Sequence, residues 1–300
     1  MRVGVIGTGH MGNPIARHLI NAGHEVTVND KRQEATANLV ELGASWADHP
    51  QAVAESADVI FTSLPGPPEV DEAVLGENGL MAGLRKGSVH VDLSSNLPSA
   101  VQRLSRIEGA QGVGFLDAPL SGMSTGAEAG TLTIFVGGDA KTLSDVKPLL
   151  EAFGKNIFHV GPVGSGNILK LTNNMMIHAS SLIVQEALAI GVKAGIDAER
   201  LYEIWNVSSS SRLVQGIPRL LERDWDNPTF TLALTAKDVG LCVEAARELN
   251  VPATMAAAAS QVYIRSMAKG LGPKLMSASL QTIEEEAGVK IGKKAQAASS

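Results

Sequence analysis

The sequence predicts an α/β chain: an N-terminal Rossmann domain on a mostly parallel, doubly wound sheet, then an all-α C-terminal domain joined to it by a long interdomain helix. Three observations carry this expectation. Short β-rich runs alternate with helical stretches up to about residue 163, a glycine-punctuated turn opens the chain, and long helical windows replace the β-rich runs from Ser165 onward.

The first run, RVGVI, is short and β-branched, whereas Met11, Ile15, Ala16 and Leu19 recur at helical spacing. Gly7, Gly9 and Gly12 therefore stand where a strand becomes a helix, with His10 and Met11 between them. Gly7 permits a tight turn, Gly9 lets the main chain approach a pyrophosphate, and Gly12 lets helix and strand pack closely. Helix-end N–H groups are left for the anion. A second strand, EVTVN, leads into Asp30, near the spacing of a ribose-binding acid. A carboxylate there accepts ribose hydroxyls and repels a 2′-phosphate, which favours NAD; Lys31 and Arg32 beside it keep NADP open.

ADVIFTS, SVHVDLS, GFLDAPL, TLTIFVGG and NIFHVG continue the sheet. Leu64 and Pro65 follow one strand, and Ser94 and Ser95 follow the next, at the strand ends where ligands bind. They read either as contacts to adenosine and nicotinamide or as ordinary loops. DAPLSGMSTGAEAGTL at 117–132 presents Ser121, Gly122, Met123 and Ser124, either as a cradle for a carboxylate or as a turn of small residues.

GPVGSG at 161–166 marks the break. The expected division is a dinucleotide-binding domain over 1–163, a helical substrate and oligomerisation domain over 164–288, and a disordered tail over 289–300. In GSGNILKLTNN, Gly164 and Gly166 open a helix, and Lys170 and Asn174 at i+4 share a face. A helical lysine is ordinarily solvated. Here Ile168, Leu169 and Leu171 flank it, and partial burial would lower its pKa toward the range of proton transfer. His178 lies one turn further and reads as a helix-packing histidine or as a cleft residue. Lys237 and Asp238 open a later helix, as a surface pair or with the lysine reaching a cofactor. Arg212, in SSSSRLVQ, is either a solvated loop arginine or the anchor of a second acidic group on the substrate.

The totals exclude other classes. A composition 44% hydrophobic and 19% charged is that of a soluble globular chain, and a net charge of −6 argues against a nucleic-acid partner. Cys242 is the single cysteine and has no partner for an internal disulfide, which suits a cytoplasmic location. The N-terminus is short and glycine-broken, a strand and not a signal peptide, and no charge-free apolar run reaches bilayer length, so no membrane partner is expected. H-E-x-x-H, G-x-S-x-G and paired Cys or His at ligand spacing are missing, so neither a metal nor a serine nucleophile is expected.

Four stretches in order, GTGHMGNP, DAPLSGMSTGAEAGTL, GSGNILKLTNN and the Lys237-Asp238 pair, resemble the β-hydroxyacid dehydrogenase family over nearly the whole chain. The resemblance implies NAD(P)-dependent hydride transfer with a small β-hydroxyacid of the 3-hydroxyisobutyrate type, or its semialdehyde, in a cleft at the domain junction. It makes Lys170 the general acid/base, gives the substrate to Ser121, Gly122 and Asn174, and brings Lys237 to the nicotinamide side. It also implies a homodimer or homotetramer. Two departures stand out: Met123 where the family has glycine, and Ser95 where it has threonine. The rivals are an imine reductase, whose members carry Asp or Tyr where Lys170 stands, and a non-catalytic nucleotide-binding module that has lost the lysine.

Overall fold

A computed structural model describes residues 1–292. The chain forms two compact units, Met1–Leu171 and from Thr172 onward. The division falls inside a helix, later than the break expected at 163.

The first unit holds a nine-stranded sheet: β1 (Arg2–Ile6), β2 (Glu25–Asn29), β3 (Ser45–Trp46), β4 (Val59–Thr62), β5 (Val89–Asp92), β6 (Gly114–Asp117), β7 (Leu120–Ser121), β8 (Leu132–Gly138) and β9 (Gly154–Gly161). Their order is β3-β2-β1-β4-β5-β6-β8-β7, with β9 on β8. All pairs are parallel except β6–β8 and β7–β8. β3 and β7, two residues each, were not among the expected strands, since so short a segment has no period to read. Helices α1 (Gly12–Asn21), α2 (Ala37–Glu41), α3 (Pro50–Ser56), α4 (Pro67–Leu75), α5 (Leu80–Gly83), α6 (Pro98–Gly109), α7 (Met123–Ala129) and α8 (Ala140–Glu151) fill the connections.

Strand alternation sorts the core onto two faces. On β4, Val59 and Phe61 join the cluster of Val5, Ile15, Leu19 and Val28, while Ile60 joins Val53, Val70, Leu104 and Phe115. Strand order reverses between β1 and β4, which places the switch point at their carboxyl ends.

Helix α9 (Ser165–Lys193) crosses the division, and α10 (Ala198–Asn206), α11 (Ile217–Glu222), α12 (Leu232–Glu248), α13 (Thr254–Ala268) and α14 (Leu280–Ala287) complete the second unit. Leu182, Leu188 and Ala189 of α9 pack there with Val239, Tyr263 and Ile283. An 18-residue window of α9 reaches a mean hydropathy of 1.5 and is 28% buried, so by length and composition one helix does suffice to cross a bilayer. Its charge-free stretch runs only over 171–185. The tail expected to be disordered from 289 begins packed: Ile291 is buried, its N–H donates to Glu284 Oε1 at 2.6 Å, and its carbonyl accepts from Arg223. The rest of that tail, 293–300, lies outside the described residues.

Candidate active site

In the glycine turn between β1 and α1, packing accounts for Gly7 and Gly12. Gly7 has φ +85°, and a Cβ there would run into the Ser63 carbonyl; a Cβ on Gly12 would run into the Gly7 carbonyl. Both glycines are required by the protein's own packing. At Gly9 a Cβ meets nothing in the protein, yet Gly9 lines a cleft of about 910 Å³ with Thr8, His10, Arg32, Ser124 and Thr125. Glycine at 9 therefore keeps the main chain bare toward whatever fills the cleft, and the open N-terminus of α1 suits the pyrophosphate of a dinucleotide. Met11 is partly buried and packs against the core.

Asp30 is already engaged. Its Oδ2 accepts from the Thr8 N–H at 2.8 Å and the Thr8 hydroxyl at 3.3 Å, and Oδ1 accepts from the Arg32 N–H at 2.9 Å. It ties the glycine loop to the end of β2, with lone pairs left for a ribose. Lys31 pairs with Glu72 at 2.6 Å on the surface, while the exposed Arg32 lines the cleft. Of the two neighbouring cations, only Arg32 is among the residues that line this cleft.

Below the loops that follow β4 and β5 runs a buried polar chain that sequence reasoning did not find. The Leu64 N–H donates to Ser94 Oγ at 3.0 Å, and the Ser94 N–H to Asp92 Oδ1 at 3.0 Å. The Thr62 hydroxyl also donates to Asp92 Oδ1, at 2.9 Å. Thr62 has one proton, so His90 Nε2 at 2.9 Å donates to its oxygen, and Nδ1 lies 2.9 Å from Glu108 Oε1, within hydrogen-bond reach. Burial alone pulls its pKa down; the Glu108 charge and hydrogen bond, with Asp92, outweigh burial and raise it. Ser94, at the end of this chain, holds Leu64 in place. Pro65 is exposed and Ser95 half-buried beside these loops.

The substrate motif is a sheet edge that turns into a helix. Ser121 ends β7, opposite Thr133. Gly122 has φ +132° and Met123 φ +58°, both in the left-handed region that favours glycine. Methionine stands there at a conformational cost, with its side chain 55% exposed. Ser124 lies in α7, on the glycine-loop cleft. α7 is clamped to α1: Arg17 pairs with Glu128, and His18 Nε2 donates to the Ala127 carbonyl at 3.0 Å.

The start of α9 is held from inside by Asp117, the last residue of β6 and another residue missed in the sequence. Its Oδ1 accepts from the Gly164 N–H at 2.7 Å, and its Oδ2 from the Asn167 N–H at 2.8 Å and the Asn167 amide at 3.3 Å. Asn167 Oδ1 in turn accepts from the Asn96 N–H at 2.7 Å. Burial lifts the Asp117 carboxyl to about 6; the N–H donors of Gly164 and Asn167 oppose the shift, and Asp92 adds to it. Gly166 earns its place by packing, since a Cβ would run into the Phe135 carbonyl. Lys170 follows Asn167 by three residues and stands one turn before Asn174.

In the second unit Asn174 is buried, and its amide donates to Asp238 Oδ2 at 2.6 Å. Lys237 forms an ion pair with the other oxygen of Asp238, with Nζ 2.8 Å from Oδ1. Asp238, read in the sequence only as half of a Lys-Asp pair, thus joins the two helical motifs. His178 stacks on Phe230 with ring centroids 5.7 Å apart, the helix-packing alternative. Arg212 sits exposed on a serine-rich turn after α10. Among the described residues, no group of three or more His, Cys, Asp and Glu is arranged to hold a metal ion.

Comparison with known proteins agrees with this layout. Residues 2–161 match the family described as the NAD binding domain of 6-phosphogluconate dehydrogenase, and residues 164–283 that described as NAD-binding of NADP-dependent 3-hydroxyisobutyrate dehydrogenase. The chain is 36% identical to 2-(hydroxymethyl)glutarate dehydrogenase of Eubacterium barkeri, with 97% of each chain covered. It is 37% identical to 2-hydroxy-3-oxopropionate reductase of Escherichia coli, over 97% of this chain and 100% of that one. The solved structure of Mycobacterium tuberculosis 3-hydroxyisobutyrate dehydrogenase with L-serine has a TM-score of 0.83 and 26% identity, covering 94% of this chain and 98% of that one. The chain belongs to the β-hydroxyacid dehydrogenase family of NAD(P)-dependent oxidoreductases.

Proposed function

We propose that the protein interconverts a short β-hydroxyacid of the 3-hydroxyisobutyrate type and its semialdehyde, with Lys170 as general acid/base. The observation that carries this reading is the helix start: Lys170 follows a turn pinned by a buried carboxylate and precedes Asn174 by one turn, so one helix offers a proton carrier and an amide donor together. NAD(P), when bound, supplies the hydride acceptor in oxidation and the donor in reduction. In oxidation, neutral Lys170 Nζ takes the hydroxyl proton as the carbonyl forms; in reduction the ammonium returns it to the carbonyl oxygen. Ser121 Oγ and the Gly122 N–H hold the substrate carboxylate. Asn174, with one amide proton given to Asp238, has a second for the substrate. Arg212 takes a second acid group where the substrate has one, in keeping with the dicarboxylic name of the Eubacterium barkeri relative.

Lys170→Ala should lower kcat about 10²–10⁴-fold and leave cofactor affinity unchanged. A variant with ordinary kcat refutes the assignment.

The working form is a cytoplasmic homo-oligomer. Support comes from α9, where Leu169, Met176, Ile183 and Ile190 are exposed at intervals of seven, the period of a helix-pairing seam. Mass measured in solution tests this, and a monomer at working concentration refutes it.

A further inference from the structure

We propose that Asp117, acting with Asn167 and Asn96, is the positioning residue that fixes the start of α9 and thereby the place of Lys170. The inference rests on the reading of Lys170 as proton carrier.

Asp117 is fully buried at the carboxyl end of β6 and spends both oxygens on the entry to α9: one on the Gly164 N–H at 2.7 Å, the other on the Asn167 N–H at 2.8 Å. These are main-chain bonds on either side of the helix's first residues, so they fix its axis and its rotation together. Asn167 extends the hold to the neighbouring loop, because its Oδ1 accepts from the Asn96 N–H at 2.7 Å and both side chains are buried. The surroundings are closely packed. A Cβ on Gly137 would strike Asp117 Oδ1, and one on Gly166 would lie 2.7 Å from the Asp117 carbonyl oxygen. From Asn167 to Lys170 is three residues, about 4.5 Å of rise, so an error at the first turn is carried directly to the ammonium.

Folding alone does not account for this carboxylate. Burial raises its pKa to about 6, which means that its ionisation near neutral pH works against the folded state. A neutral residue would stabilise the fold without that opposition. What the ionised form supplies is two acceptors at once for two N–H groups, which is a geometric service to the helix.

The test compares the full-length wild type with Asp117→Asn, Asn167→Ala and Lys170→Ala, with turnover of L-serine and 3-hydroxyisobutyrate measured in the presence of NAD+ or NADP+ and binding measured with NADH or NADPH. Asp117→Asn keeps the shape and one acceptor. It should lower kcat about 10–100-fold, the scale for misplacing a reacting group by roughly 1 Å. The Kd for reduced cofactor, read by fluorescence, should stay within twofold, because the glycine turn is untouched. Amide hydrogen exchange should rise at least tenfold over 164–171 and stay unchanged in β1 and α1. Asn167→Ala should show the same pattern more weakly, and it carries the test if Asp117→Asn fails to fold. A kcat within threefold of wild type, a cofactor affinity that falls in step with kcat, or unchanged exchange over 164–171 each overturns the proposal. If Lys170→Ala retains wild-type kcat, the proton-carrier reading fails and the proposal falls with it; if Lys170→Ala is inactive while Asp117→Asn is normal, only the positioning role is refuted.

Discussion

Replacing Glu108 by glutamine keeps the shape of the deepest polar contact in the first unit and removes its charge. His90 and Glu108 are both fully buried, with Nδ1 2.9 Å from one carboxylate oxygen and 3.1 Å from the other. Trapping one charge of a buried pair costs about 3–5 kcal/mol. His90 escapes the trap by releasing its proton, and above its unfolded pKa of about 6.5 that release costs little. At pH 7.5 the loss is therefore that of a charge-assisted hydrogen bond, about 1.5–3 kcal/mol. At pH 5 the variant must in addition hold His90 neutral 1.5 pH units below that pKa, which adds about 2 kcal/mol. The sign agrees with the raised pKa of His90 in the native protein. Its stabilising contribution is complete below the unfolded pKa and is lost as pH rises through the folded one. Trp46 is the one tryptophan in the first unit, so urea unfolding followed by its fluorescence, with Trp205 and Trp225 replaced by phenylalanine, reads this unit alone. A loss that is equal at pH 5 and pH 7.5, or smaller than about 0.5 kcal/mol, refutes the reading that the Glu108 charge raises the His90 pKa.

Three further outcomes follow from the site. Wild type should prefer NAD, and Asp30→Ala should raise kcat/KM for NADP relative to NAD while raising KM for both, since Asp30 also anchors the Thr8 and Arg32 N–H groups; a tenfold or greater preference of wild type for NADP refutes this. Gly9→Ala should fold normally and lose cofactor affinity at least tenfold, whereas Gly12→Ala, which meets the Gly7 carbonyl, should also lose several kcal/mol of stability, on the order of the cost of overpacking. Equal melting temperatures for the two variants would contradict the division of roles. Arg212→Ala should raise KM for dianionic substrates far more than for 3-hydroxyisobutyrate, and equal changes would return Arg212 to the solvated surface.

Local pattern was enough to read the first strand, the glycine turn, the switch from period two to helical windows, and Lys170 and Asn174 on one helix face. Each depends on neighbours within a few residues, where backbone sterics and side-chain period operate directly. The same is true of the roles of Gly7 and Gly12, because the turn that needs them is itself local. Asp117, Asn167, Asn96, Asp92 and the Glu108–His90 pair were not legible. Each is an ordinary polar residue in its own stretch and acquires a partner only when β4, β5 and β6 lie side by side in register and α9 starts at their carboxyl ends. Asp238 likewise becomes a junction only when α12 packs within the second unit and brings it to Asn174. The antiparallel entry of β8, the left-handed backbone of Met123 and the packing of Ile291 complete what tertiary structure alone decided. A hydrogen bond between residues distant in the chain depends on strand order and register, and these are set by the burial of the whole sheet, not by any local run of residues.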